Sequence, residues 1–343
     1  MKQTTSQKRK SRYTRSRRMG TRRMEKSDQL PKAYQVVTDK IVSLLEQGVV
    51  PWHRPWKSIG LPKNLHSGKS YRGINSFLLH ALGAAQGYSS PYWITFKQAL
   101  DRGGNVRKGE HGSPVVFWKL LDSKSDAEDD TEPEDGNFAN RRVPLIRYST
   151  VFNVEQCEGI EYPTPVALQP SQHASIEACE SLIAAMPNAP QLIQQGDRAF
   201  YRPSTDSVTV PPMGFFESPE AYYCTLFHEL AHATGHEKRL NRSTIMSSIK
   251  FGSPEYAREE LIAEMGAAFL CHQTGIDPVT LDNTAAYLNN WITVLRGNPK
   301  LVVLAASQAQ KAAEYICNHK ETAELSAPVA SNIIGLEIRQ TCR

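Results

Sequence analysis

The sequence predicts an α+β fold divided into two domains. Its 343 residues exceed the length of one ordinary hydrophobic core. Apolar residues recur at helical spacing in some segments and in alternation in others, and a proline-rich stretch at 161–172 separates two such patterned regions. We therefore expect an N-terminal α+β domain over residues 31–160, a linker over 161–172 and a C-terminal domain over 173–320. A tail follows at 321–343.

Composition and cysteine pattern are typical of a globular protein in a reducing compartment. No apolar run approaches the ~20 residues that span a membrane, and the N-terminus lacks the apolar segment of a secretory signal. The six cysteines are scattered without a C-x-x-C pair, so we expect no disulfide framework. These observations predict a cytoplasmic protein without a membrane partner.

Charge is distributed unevenly along the chain. Residues 1–23 contain ten Lys and Arg and no acid, which leaves 30 basic against 35 acidic residues elsewhere. The net charge of +5 therefore belongs to a basic tail, residues 1–30, which we expect to be disordered. The tail could bind phosphates, be a solvated extension, or precede a true start at Met19 or Met24. An acidic segment at 122–136 is expected to be a disordered loop within a β-hairpin.

A proline-rich turn after the first predicted helix carries aromatic and basic residues together. Trp52 and Trp56 alternate there with Arg54 and Lys57. Indole rings beside cations can stack on the bases of single-stranded DNA. The alternative is that both indoles fill the core beneath the helix.

Two further pairs are candidate DNA contacts. Tyr71 and Arg72 precede a predicted helix, where they could contact a base and a phosphate, with Asn75 as the helix cap. Arg107 and Lys108 lie in a glycine-rich turn that could hold phosphates.

The strongest chemical pattern is an H-E-x-x-H motif at 228–232. On a helix, His228 and His232 lie on one face and can share a Zn²⁺ ion. Glu229 would then be the catalytic base that deprotonates the attacking water. The alternatives are a zinc ion that only stabilises the fold, or a structural histidine pair. We expect a substrate to lie along an edge strand at 207–210.

A catalytic zinc site needs a third protein ligand. A predicted helix downstream carries Glu260 and Glu264 on one face. Glu260 is the first choice for the ligand and Glu264 for a carboxylate that orients a histidine, with the reverse assignment left open. Glu259 is expected to face elsewhere, and His236, four residues after His232, is expected to be a nearby polar group.

These motifs together resemble one family. The segment from Tyr34 to about Glu158 resembles the N-terminal domain of ArdC-type antirestriction proteins, which is also found in TraC-type plasmid primases. The C-terminal half, through its motifs from Ser218 to His236, resembles the zincin-like metallopeptidase domain of the same proteins. The N-terminal resemblance is carried by Pro51-Trp52, Pro55-Trp56, Tyr71-Arg72-Gly73-Ile74-Asn75 and Val151-Phe152-Asn153.

The resemblance implies a single-stranded-DNA-binding domain joined to a zincin-like metallopeptidase domain that holds Zn²⁺. It also implies a role in conjugation, in which the protein protects incoming DNA from host restriction. The alternative is a zinc metallopeptidase that acts on a protein substrate and uses its DNA-binding domain for localisation.

Overall fold

A computed structural model of the chain describes residues 31–53, 60–122, 142–163, 172–246, 253–276 and 285–318. The basic tail, nearly all of the acidic segment and three predicted DNA contacts (Arg54, Trp56 and Lys57) lie outside these ranges. The described part mixes helices and sheets, so the predicted α+β class is confirmed. None of its helices is both long and apolar enough to cross a membrane.

Among the residues described in the N-terminal half, 31–163, a four-stranded sheet is accompanied by three helices. The sheet order is β1-β2-β5-β4, with β1 parallel to β2 and the other pairs antiparallel. Strands β3 and β6 form a separate antiparallel pair. In chain order the elements are α1 (Lys32–Glu46), β1 (Lys63–Asn64), α2 (Ile74–Ala85), β2 (Tyr92–Ile94), α3 (Phe96–Asp101), β3 (Asn105–Val106), β4 (Ser113–Asp122), β5 (Arg142–Asn153) and β6 (Cys157–Glu158).

Local sequence explains where these helices begin and end. Thr95 caps α3 through its hydroxyl, and Gln98 completes the capping box by accepting from the Thr95 backbone N–H. After α1 the chain reaches Gly48, whose φ of 75° suits glycine and turns the backbone away from the helix. Asn75 is not the cap we expected for α2. Its side chain instead pairs with both backbone groups of Val116 on β4, which fixes the helix to the sheet.

The C-terminal half, residues 172–318, is mainly helical around a small sheet. Its elements are α4 (Gln172–Ala185), β7 (Gln191–Gln194), β8 (Phe200–Arg202), β9 (Ser207–Val210), α5 (Pro219–Ala233), α6 (Ser243–Met246), α7 (Pro254–Thr274), α8 (Ala285–Gly297) and α9 (Leu301–Ile316). The sheet order is β7-β9-β8, with β9 parallel to β7 and antiparallel to β8. The expectation that the strand at 207–210 lies at the edge of the sheet is therefore wrong. That strand is β9, which is central and buried along its whole length.

The two halves share one hydrophobic core. Phe77 of α2 packs on Phe269 of α7 with ring centroids 4.5 Å apart, and one cluster of buried residues includes members of α1, α2, α5, α7 and α9. The hydroxyl of Thr38 on α1 also donates to the carbonyl of Pro299, 2.8 Å away. The predicted domain boundaries stay predictions. The apolar contacts between the halves are formed by buried side chains, as in the interior of a single domain.

Candidate metal centre

Helices α5 and α7 carry the site, and serines define where both begin. Ser218 caps α5 and Ser253 caps α7, each by accepting a backbone N–H at 3.2 Å. The two helices approach closely at Gly266, where an added Cβ would lie 2.9 Å from the Cβ of Ala231. Since Ala231 precedes His232, this contact brings the acidic residues of α7 to the histidines of α5.

The structure brings together His228, His232 and Glu260. The Nε2 atoms of the two histidines are 3.1 Å apart. One carboxylate oxygen of Glu260 lies 3.6 Å from His228 Nε2, and the other lies 3.7 Å from His232 Nε2. Within the described ranges, these are the three His, Cys, Asp or Glu side chains grouped closely enough to hold a metal ion.

This arrangement fits a tetrahedral metal ion. Ligand atoms bound to Zn²⁺ at about 2.0–2.1 Å with tetrahedral angles are about 3.4 Å apart. The separations of 3.1, 3.6 and 3.7 Å are close to that value. Two neutral imidazoles and one carboxylate also leave a fourth position for water or substrate, as in catalytic zinc sites. Metal binding by these residues stays a prediction.

The electrostatics of the centre favour a positive charge. Burial lowers the pKa of His228, but the carboxylates of Glu260, Glu229 and Glu264 outweigh it and raise that pKa to about 9. Burial raises the pKa of Glu260, whereas its contact with His228 and the charge of His232 lower it, with a net decrease. The carboxylate therefore stays ionised. Glu229, the predicted base, is 8% exposed on the same helix as the histidines.

Glu259 contacts His232, contrary to the expectation that it faces elsewhere. Its Oε1 lies 3.5 Å from Nδ1 of His232, and Arg242 donates to both of its oxygens. Burial raises the pKa of Glu259, but His232 and Arg242 outweigh it and lower that pKa to about 2. An ionised carboxylate at 3.5 Å favours a proton on Nδ1 of His232, and that tautomer leaves Nε2 available to a metal ion.

Glu264 does not take the position that the sequence suggested. Its Oε2 accepts from the indole N–H of Trp52 at 2.8 Å and from the hydroxyl of Tyr287 at 2.6 Å. The prediction that Glu264 orients a ligand histidine is therefore wrong, because its carboxylate is held by aromatic donors and Glu259 lies beside His232 instead. Its use as the alternative ligand is not supported either, because Glu260 fills that place.

Tyr256 is a site residue that sequence reasoning missed. It lies one turn before Glu260 on α7, and its hydroxyl hydrogen-bonds to that carboxylate. Burial, together with the charge of Glu260, raises the pKa of Tyr256 to about 12, so the hydroxyl keeps its proton. The i, i+4 spacing to Glu260 was visible in the sequence. His236 lies apart from these residues, with Nδ1 3.9 Å from Asp206.

The predicted DNA contacts are not assembled as expected. Trp52 is 0% exposed, so the alternative, an indole that fills the core, is correct and base stacking by this residue is excluded. The ring of Tyr71 packs on a buried cluster that includes Val115, and its hydroxyl accepts from Asn64 at 3.3 Å. Arg72 is exposed and forms an ion pair with Glu314 of α9.

The two residues predicted to contact phosphates in the turn after β3 both lie at the surface. Arg107 and Lys108 are exposed, and Arg107 pairs with Glu110 at 2.9 Å. An ion pair of this exposed kind contributes little stability and can open to bind a phosphate. Their roles in DNA binding stay predictions.

The hairpin of β4 and β5 exposes aromatic residues that the sequence analysis did not select. Phe117, Trp118 and Tyr148 are 39%, 44% and 41% exposed. Phe117 lies directly opposite the exposed Arg147 across the two strands. Alternation along a strand predicts which residues share a face, but which of them remain exposed depends on where α1 and α2 pack.

Two family models match the chain. Residues 31–152 match the model described as the N-terminal domain of anti-restriction factor ArdC, and residues 177–308 match that of a zincin-like metallopeptidase. The crystal structure of the antirestriction ArdC protein from plasmid R388, in its metal-free form, is similar at 35% identity with a TM-score of 0.65. That match covers 84% of this chain and 98% of the plasmid protein. The Mn(II)-bound form matches with the same TM-score of 0.65.

Curated relatives include proteins much longer than this chain and one of similar length. A DNA primase TraC of Escherichia coli is 38% identical over 311 residues, which is 86% of this chain. The chain spans 20% and 27% of the length of two such primases. The uncharacterized protein y4eC of Sinorhizobium fredii is 35% identical over 287 residues, covering 82% of this chain and 91% of that protein.

Proposed function

Since this chain belongs to the ArdC family of antirestriction proteins, we propose that it protects incoming plasmid DNA from host restriction during conjugation. In this proposal the N-terminal half binds single-stranded DNA, and the C-terminal half is a metallopeptidase whose metal is Zn²⁺. Imidazole and carboxylate ligands at these separations suit Zn²⁺. The similar ArdC protein of plasmid R388 has a Mn(II)-bound crystal structure.

One observation carries the peptidase part of the proposal, namely the meeting of His228, His232 and Glu260 beside Glu229. A metal ion held by the first three residues would supply Lewis acidity at a peptide carbonyl. Glu229 would accept a proton from the attacking water and return it to the leaving nitrogen. Tyr256 keeps its hydroxyl proton and holds Glu260 in place.

The small sheet offers a place for an extended substrate. Within the described residues its outer strands are β7 and β8, because β9 lies between them. A peptide can add to such an edge through backbone hydrogen bonds, and β8 is the antiparallel edge strand that packs on α5. We propose that β8 (Phe200–Arg202) replaces the strand at 207–210 as the substrate-binding edge.

Plasmid transfer tests the function as a whole. We expect the Glu229→Gln variant to lower transfer into a restricting host but not into a matched host without restriction, because only the first requires protection. Transfer frequencies of a plasmid encoding either form measure this. Equal protection by both forms, together with a destabilised His228→Ala variant, would indicate a metal site that only supports the fold.

The alternative function is a metallopeptidase that acts on a protein substrate and uses DNA only for localisation. The specific observation in its favour is that three candidate metal ligands lie together beside Glu229, the predicted base, whereas Trp52 is buried. Under this alternative, removal of DNA binding would reduce protection only in the cell and would leave hydrolysis of a purified substrate unchanged.

For DNA binding we propose the exposed aromatics of β4 and β5 in place of Trp52. Trp118 and Tyr148 share one face of the hairpin, since they are diagonal neighbours in its register. Exposed rings accept stacked bases without sequence preference. Phe117 and Arg147, which lie directly opposite each other, form a ring and a cation on the other face of the hairpin.

Substitution of these rings should weaken binding to single-stranded DNA. We expect Trp118→Ala and Tyr148→Ala each to cost about 1–3 kcal/mol of binding free energy, as loss of one base stack does. Fluorescence anisotropy with a labelled oligonucleotide at several salt concentrations measures it. Phe215→Ala, which removes a 75% exposed ring from the C-terminal half, is the matched control.

The same assay separates the hairpin from the basic tail. A chain that begins at Met24 should retain salt-dependent binding if the folded surface is responsible. If the full chain binds no single-stranded DNA, the assignment of the N-terminal half is wrong. If it binds but the two ring variants match the Phe215→Ala control, the assignment of the hairpin is wrong.

A further inference from the structure

A turn of the N-terminal half reaches the helix that carries Glu260. This turn, Pro51–His53, follows α1, and its Trp52 has no exposed surface. The indole N–H donates to Glu264 on α7 at 2.8 Å, across 212 residues of sequence. The contact is a directed hydrogen bond between the two halves and adds to their apolar packing.

Other aromatic side chains surround the carboxylate of Glu264. The hydroxyl of Tyr287 on α8 donates to Glu264 Oε2 at 2.6 Å, and Nε2 of His53 lies 3.7 Å from that oxygen. The rings of His53 and Tyr287 are stacked, with centroids 5.7 Å apart. Trp52 also packs edge-on against Trp291 at 6.2 Å. The carboxylate of Glu264 therefore has a fixed position, set by donors from both halves.

Glu264 lies one helical turn after Glu260 on α7. Residues four apart share one face of a helix, and the backbone between them is rigid on this scale. Anchoring Glu264 at one point therefore fixes the rotation and the height of the turn that carries Glu260. The carboxylate of Glu260 must stay within about an ångström of its place to complete a metal site with His228 and His232.

We propose that Trp52 and Tyr287 are positioning residues, which act through Glu264 to hold Glu260 in the metal-binding geometry. The N-terminal half then contributes to metal affinity although it supplies no ligand. Because such coupling is reciprocal, bound metal should in turn stabilise the turn at Trp52. This inference deepens the proposed metal-dependent function and rests on it.

The test compares two identical substitutions in the full chain. Trp52→Phe keeps an aromatic ring in the core but removes the donor to Glu264. Trp93→Phe is the matched control, since Trp93 is 2% exposed in the same half and packs in the separate cluster around Leu79 and Val115. Affinity for Zn²⁺ and for Mn²⁺ is measured by competition with a chromophoric chelator, and circular dichroism verifies the fold.

We expect Trp52→Phe to weaken metal binding by about 3–10-fold, somewhat less than loss of a residue bonded directly to a ligand. Trp93→Phe should lower the melting temperature without changing metal affinity. A second variant, Tyr287→Phe, removes only a hydroxyl and should weaken metal binding in the same direction. If Trp52→Phe does not fold, the metal affinity of Tyr287→Phe tests the positioning role alone.

The outcomes separate this inference from the function on which it rests. If the wild-type chain binds neither metal, the proposed metal site is wrong. If the wild type binds metal and both Trp52→Phe and Tyr287→Phe bind it as tightly as Trp93→Phe does, the positioning role is overturned and the contacts to Glu264 serve only stability.

Discussion

Glu229→Gln is expected to reduce peptide hydrolysis by about 10²–10⁴-fold, the usual contribution of a general base. Glutamine has nearly the same shape but cannot accept a proton from water at neutral pH. Metal binding should persist, because the grouped ligand atoms belong to His228, His232 and Glu260. The expected result is therefore a folded protein that binds metal and does not cleave.

Mass spectrometry of a digested peptide library measures the cleavage, and chelator competition measures the metal. Glu237→Gln is a suitable control, because Glu237 is exposed and lies just beyond the end of α5. Wild-type cleavage by Glu229→Gln would remove Glu229 from the mechanism. If the wild-type protein cleaves nothing in the library, the metallopeptidase part of the proposal loses its support.

Local periodicity was sufficient to predict His228, His232 and Glu260 as candidate metal ligands. His228 and His232 are four residues apart on one helix, so their common face follows from helical geometry alone. Glu260 was also predicted from sequence, because α7 has a strong helical pattern with acids one turn apart. The same rule places Glu260 and Glu264 together on one face of α7, but it does not indicate which of them lies beside the histidines.

The partners of those residues could not be predicted in the same way. Arg242 reaches Glu259 across 17 residues and Trp52 reaches Glu264 across 212, so no local pattern relates them. A tryptophan beside cations fits a stacking surface and a buried core equally well until the neighbouring half is placed. Strand order could not be predicted locally either. Alternation of apolar residues does not show whether a strand lies at the edge of a sheet or, like β9, in its centre.

Arg242→Ala is expected to destabilise the fold by about 3–5 kcal/mol, as loss of one partner of a buried ion pair does. Arg242 and Glu259 have side-chain exposures of 6% and 5%. The guanidinium also donates to the Thr234 hydroxyl at 2.6 Å and to the Ala231 carbonyl at 2.9 Å. Its removal leaves a buried carboxylate and two acceptors at the end of α5 without these donors.

Chemical denaturation of the metal-free protein measures this loss, with Arg72→Ala as the control. Arg72 also pairs with a glutamate, but its side chain is 67% exposed, so we expect about 0–1 kcal/mol. Adding Glu259→Gln to Arg242→Ala should restore part of the stability, because it removes the unpaired charge. Such recovery would show that the unpaired carboxylate of Glu259 causes the loss of stability in Arg242→Ala. Without it, the hydrogen bonds to Ala231 and Thr234 account for the effect, and Arg242 stabilises the end of α5 mainly through them.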